Sequence, residues 1–152
     1  MSDPADALRE LAAQLREEGT PISPHVVDPA GPPALGLLAA AGSRTASDPG
    51  EYAQIVEAVH EGYLLHYGES RLLAGHDSDL GLLAGDYLYA LGLDRLAALA
   101  DARAVEILSD LIANCARLHT DGETGRIPDL WKEAAREIAG PAQLNRDESI
   151  KQ

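Results

Sequence analysis

The chain has 152 residues and a formal net charge of −13. That charge excludes nucleic acid as a partner, because phosphate binding needs a basic surface, and it excludes docking on anionic lipid through charge. Hydrophobic residues make up 45%, aromatics only 4%, and phenylalanine is absent, so the core must be Leu, Ala, Val and Ile, a palette that favours helices.

Asp3-Pro4 opens the first predicted helix with a capping side chain followed by proline at the first helical position. Leu8, Leu11, Ala12 and Leu15 follow at helical spacing, and Gly19 stops it. Residues 1–19 are therefore an N-terminal helix. Five prolines between Pro21 and Pro33 forbid regular helix there, so residues 20–46 are an extended linker that ends in a short helix from about Pro33 to Ala41.

Ser47-Asp48-Pro49 is a second strong helix start. It opens a helical core domain, residues 47–139. The first core helix places Tyr52, Ile55, Val56, Val59, Tyr63 and His66 on one face. After a break at "RLLAGHDSD" comes the most apolar segment, "GLLAGDYLYALGLDRLAALAD". Leu80, Leu82, Leu83, Tyr87, Leu88, Tyr89, Leu91 and Leu93 leave it no polar face, so it should be covered all round, in part by another chain. Asp101 starts a helix with Val105, Leu108, Leu111, Ile112, Cys115 and Leu118 in its stripe. A last helix, about Asp129 to Ile138, buries Leu130, Trp131, Ala134 and Ile138, and residues 140–152 are a frayed tail. No stretch alternates with period two. The expected fold is all-α, a bundle of five or six helices.

A single cysteine, Cys115, cannot form an internal disulfide, which fits cytoplasmic residence, and "MSDPADALRE" carries no signal-peptide pattern. Asp86, Asp94 and Arg95 interrupt the apolar run and argue against a membrane span. Cys115 falls on an apolar stripe and reads as a packed thiol. His119 stands at a helix end, where it complements the dipole.

His60, His66, His76 and Asp77 are the candidates for a metal site of hydrolytic type, which needs ligands converging from several helices. His60 and His66 are six apart and do not stack on one helix face, while His76-Asp77 suits a turn and helix cap. Asp86 is the sharper case. A carboxylate in the middle of so apolar a helix must be paired, since leaving it bare costs several kcal/mol, about 2–7 for a polar group. The candidate partners are a backbone or hydroxyl donor on an adjacent helix, or an arginine such as Arg71 or Arg117. Gly81 and Gly85, four apart, would let a neighbouring backbone approach closely.

"LLAGDY", preceded by "LLHYGES" and followed by "AVEILSDLIANCARLHTDGE", resembles the trans-prenyl diphosphate synthases over about residues 47 to 123. The resemblance implies part of the isoprenoid-synthase fold. In that family two aspartate clusters hold magnesium against the allylic diphosphate. Here Leu64-Leu65-His66-Tyr67-Gly68-Glu69 stands where the first cluster belongs, Arg71 is single where the family has two arginines, and the chain ends before the second cluster. It therefore resembles most the small, non-catalytic component of heterodimeric heptaprenyl or hexaprenyl diphosphate synthases. That implies no catalysis, no metal or other cofactor, and a catalytic synthase subunit as partner, with Gly81, Gly85, Asp86, Tyr87 and Tyr89 as packing or interface residues. The alternatives are a homodimeric helical domain and a small metal-dependent hydrolase built on His60, His66, His76 and Asp77.

Overall fold

The computed structural model describes residues 2–142. Six helices make the body: α1 (Ala7–Glu17), α2 (Ala34–Ala40), α3 (Pro49–Tyr67), α4 (Ser78–Ala98), α5 (Ala102–Thr120) and α6 (Ile127–Ala139). Among the described residues there is no strand, only two isolated bridges, Val26 with Leu73 and Gly42 with Ala142. The all-helical expectation holds, and four of the helix starts follow local chemistry. Asp3, Asp77 and Asp101 accept backbone N–H bonds at the entry to α1 (through a short preceding 3-10 turn), α4 and α5, and Pro128 sits in the first turn of α6. Asp48, by contrast, makes no side-chain cap to α3.

The helix enclosed on nearly every side is α3, not α4. From Gly50 to Gly62 only Glu51 and His60 keep even partial exposure. Ile55, Val56 and Val59 point into a core shared with Leu96, Leu108, Leu111, Cys115, Trp131 and Ile138. Ala58, on the other side of α3, belongs to a second cluster with Leu8, Leu11, Leu15, Leu72, Ala84 and Leu88. Thus α1 packs into the same body as the core helices. By contrast α4 leaves Leu82 48% and Leu83 66% exposed. Its apolar character does not make it the central helix, because one side of it meets solvent.

Two short segments tie the chain to the α3–α4 loop. The proline-rich stretch turns at Ser23–His25 and buries Ile22. Val27 N–H then donates to the Leu72 carbonyl at 2.8 Å, and Ala74 N–H donates to that of His25 at 3.0 Å. At the other end of the fold, Asp101 accepts from Tyr52 Oη at 2.7 Å and Arg44 Nη2 at 2.8 Å, and the Arg44 guanidinium also donates to the Ile138 carbonyl. Of the predicted tail, Gly140–Ala142 is pinned by Ser43 N–H donating to the Pro141 carbonyl at 2.8 Å; residues 143–152 lie outside the described region.

The crossing of α3 and α4 is the most extensive helix contact and is built on glycine. A Cβ on Gly62 would lie 2.9 Å from the Gly85 carbonyl oxygen and 2.7 Å from the Tyr89 ring. One on Gly85 would lie 3.0 Å from the Gly62 carbonyl and would run into the His66 ring. So the backbone that Gly85 admits is that of its own chain. Gly85→Leu is expected to lower stability by about 2 kcal/mol through overpacking. Urea unfolding measures it, and an unchanged midpoint would show that the crossing is looser than described.

Candidate functional site

Along α3, Glu57 and Glu61 are separated by one helical turn, and both are fully buried. Charges so placed require partners. Arg71, folded back from the α3–α4 loop, supplies them. Its Nε donates to Glu61 Oε1 at 2.7 Å and its Nη2 to Glu57 Oε1 at 2.7 Å. Each carboxylate also accepts from a further donor. Ser70 Oγ donates to Glu61 Oε2 at 2.5 Å, Arg71 N–H donates to the same carboxylate, and Gly36 N–H of α2 donates to Glu57 Oε2 at 3.0 Å. Donors from α2 and from the α3–α4 loop therefore converge on two carboxylates of α3.

Burial pushes the Glu57 carboxyl above the usual range, while Arg71 and the Gly36 N–H pull it back. Burial opposes the Arg71 charge, but the two carboxylates outweigh it and raise its pKa. His60 closes the cluster, with Arg71 Nη2 3.2 Å from its Nδ1. Arginine can only donate, so Nδ1 is the acceptor and the imidazole proton resides on Nε2. Burial, then the neighbouring guanidinium, lowers the His60 pKa to about 3, so the ring is neutral at pH 7.

His60 also forms part of the wall of a cavity of about 380 Å³, open to solvent, between α2, α3 and α6. Tyr63 and Trp131 stand beside it, with ring centroids 5.5 Å apart. Tyr63 Oη is 2.8 Å from His119 Nε2, and the His119 ring stacks on Tyr67 at 4.0 Å. His119 is thus fastened to α3, a stronger role than complementing a helix dipole. Cys115 is buried, and burial raises its thiol pKa, opposed by the Trp131 indole N–H. A thiol held protonated fits packing rather than nucleophilic chemistry.

The residues singled out on α4 are dispersed. Asp86 is not a buried carboxylate: its side chain is 70% exposed, with Oδ1 3.0 Å from His66 Nε2. Neither arginine foreseen for it is its partner, since Arg71 binds Glu57 and Glu61 and Arg117 contacts Asn114. Tyr87 hydroxyl donates to Glu18, joining α4 to the end of α1, and its pKa is pushed up to about 12 by burial and that carboxylate. Tyr89 lies against His66, with ring centroids 5.3 Å apart, and Gly81 faces the His76 ring. Nor do His60, His66, His76 and Asp77 meet at one point. His60 faces Arg71, His66 packs on Gly85, His76 lies near Gly81 and His25, and Asp77 caps α4. Among the described residues no group of three or more His, Cys, Asp or Glu side chains is placed to hold a metal ion.

The buried cluster of Glu57, Glu61 and Arg71 is not among the sites expected from the sequence. A signal for it existed. Glu57 and Glu61 are four apart in a largely apolar stretch, and Arg71 is the single arginine or lysine between Arg44 and Arg95. No protein-family model, no curated protein and no solved structure matches the chain.

Arg71→Met would strand two buried carboxylates and is expected to cost about 3–5 kcal/mol in urea unfolding. A loss below about 1 kcal/mol, the scale of exposed pairs, would contradict the buried pairing. His60 adds a pH dependence. Its folded pKa lies below the ordinary 6.5, so between pH 6.5 and about 3 the unfolded chain binds a proton that the folded chain does not. Stability from this group is therefore lost as pH falls. Glu57, with its raised pKa, works in the opposite sense, so the comparison is with His60→Gln. Wild type should lose about 2 kcal/mol more than that variant between pH 7 and pH 5. Parallel stability–pH curves would refute it.

Proposed function

We propose that the protein is a non-catalytic helical subunit that associates with the catalytic subunit of a polyprenyl diphosphate synthase, in cytoplasmic isoprenoid biosynthesis. The observation that carries the association is the outer face of α4. Among the described residues, Leu82 and Leu83 of "LLAGDY" are the most exposed of the large apolar side chains, at 48% and 66%. Beside Leu83 lies an apolar hollow of about 290 Å³ whose walls include Pro21, Ile22, Leu80 and Tyr87. Apolar surface gathered in this way is typical of protein–protein contacts. The kind of partner rests on the resemblance of the "LLAGDY" segment. Gly81 and Gly85 act inside the subunit, while Leu83, Tyr87 and the exposed Asp86 form the surface offered to a partner.

No helix among the described residues is long and apolar enough to cross a membrane, so a protein partner is the natural cover for this face. A second copy of the chain is the competing cover, because the same face could pair with itself. A tagged pull-down from the native lysate, with bound proteins identified by mass spectrometry, distinguishes the two. The expected result is a polyprenyl diphosphate synthase in near-stoichiometric amount. It should be lost in Leu83→Glu, a variant that keeps the wild-type helical circular dichroism and urea midpoint. Recovery of bait alone, at dimer mass, would overturn the heteromeric reading.

A further inference from the structure

The cavity between α2, α3 and α6 is independent of the α4 face and has a consistent chemistry. Its volume, about 380 Å³, lies within the range of roughly 300–1,000 Å³ typical of small-molecule sites. It is more than twice the ~150 Å³ that accommodates benzene. Leu35, Leu64, Ile127 and Trp131 give it an apolar wall.

The charged and imidazole groups on this wall are hydrogen-bond donors. Because Nδ1 of His60 accepts from Arg71, the ring's other nitrogen carries its proton, on the edge away from Arg71. Lys132, the one lysine among the described residues, is also on the wall, exposed and in no ion pair with any of them. In a chain of net charge −13, an ammonium with no ion-pair partner among the described residues, beside an apolar hollow, is a local exception to the surrounding field. It complements an anion.

The geometry points to a binding site for a small amphipathic carboxylate, its apolar body against Leu35, Leu64, Ile127 and Trp131 and its carboxylate near Lys132 and the His60 N–H. The Glu57–Arg71–Glu61 cluster fixes the His60 tautomer and so presets the donor. A cationic ligand would meet Lys132 as a like charge. A neutral alcohol of equal length would forgo the charge-assisted hydrogen bond.

Trp131 is the only tryptophan of the chain, so its emission reads this cavity directly. The full chain would be titrated with octanoate, 3-phenylpropanoate and octan-1-ol. The expected result is a saturable change in emission with at least one acid. Octanoate should bind roughly tenfold more tightly than octan-1-ol, as expected for a hydrogen bond to a charged group. Whichever acid binds tighter identifies the apolar body as aliphatic or aromatic. Lys132→Gln, a surface change that leaves the fold intact, should weaken acid binding about fivefold and leave octan-1-ol unaffected. The proposal is overturned by the absence of saturation with both acids, by octan-1-ol matching octanoate, or by unchanged acid affinity in Lys132→Gln.

Discussion

The fold depends on one arginine placed between two buried glutamates. Without Arg71, placing α3 at the centre of the molecule would carry unpaired charge on Glu57 and Glu61 into a buried region at a large cost in stability. With it, α3 can be enclosed on both sides, by the cluster around Val59 and Trp131 and by the cluster around Leu11 and Leu88. Other constraints follow from this one. The α3–α4 loop must bend so that Ser70 and Arg71 face inward. Residues 22–27 brace that loop through His25 and Val27, and α2 must approach closely enough for the Gly36 N–H to reach Glu57.

Helix positions were legible in the sequence because they rest on local chemistry: aspartate caps, prolines in first turns and leucine spacing. Which helix would be central was not legible. Apolarity singled out α4, but that helix presents Leu82 and Leu83 to solvent. The buried helix is the one that carries the two buried glutamates, Glu57 and Glu61. Burial follows from the pairing of charge, and the partner of Glu57 lies fourteen residues away in a loop. Spacing along one helix cannot show such a partner. The same reasoning explains Asp86. A carboxylate in an apolar run looks buried when all its neighbours are assumed to be, but here the helix turns that position outward.

In the "LLAGDY" segment the glycine and the leucines have separate jobs. Gly85 serves the internal crossing with Gly62, and Leu83 is left on the surface. A short motif can therefore carry an internal packing rule on one side of a helix and a surface on the other. The cavity lined by Trp131 belongs to neither. Its donor groups come from the buried cluster and from α6, so any ligand there would be sensed by the same arginine that holds the centre together.

The arrangement of the central ion cluster also bears on the order of assembly. Arg71 follows Glu61 by ten residues and Glu57 by fourteen, and closing a loop of about ten residues takes only ~10–100 ns. The three charges can therefore meet while water still screens them, before the distant α1 and α6 have docked. The α3–α4 hairpin can enter collapse with its charges already paired, and the remaining helices then close over an assembled ion triad.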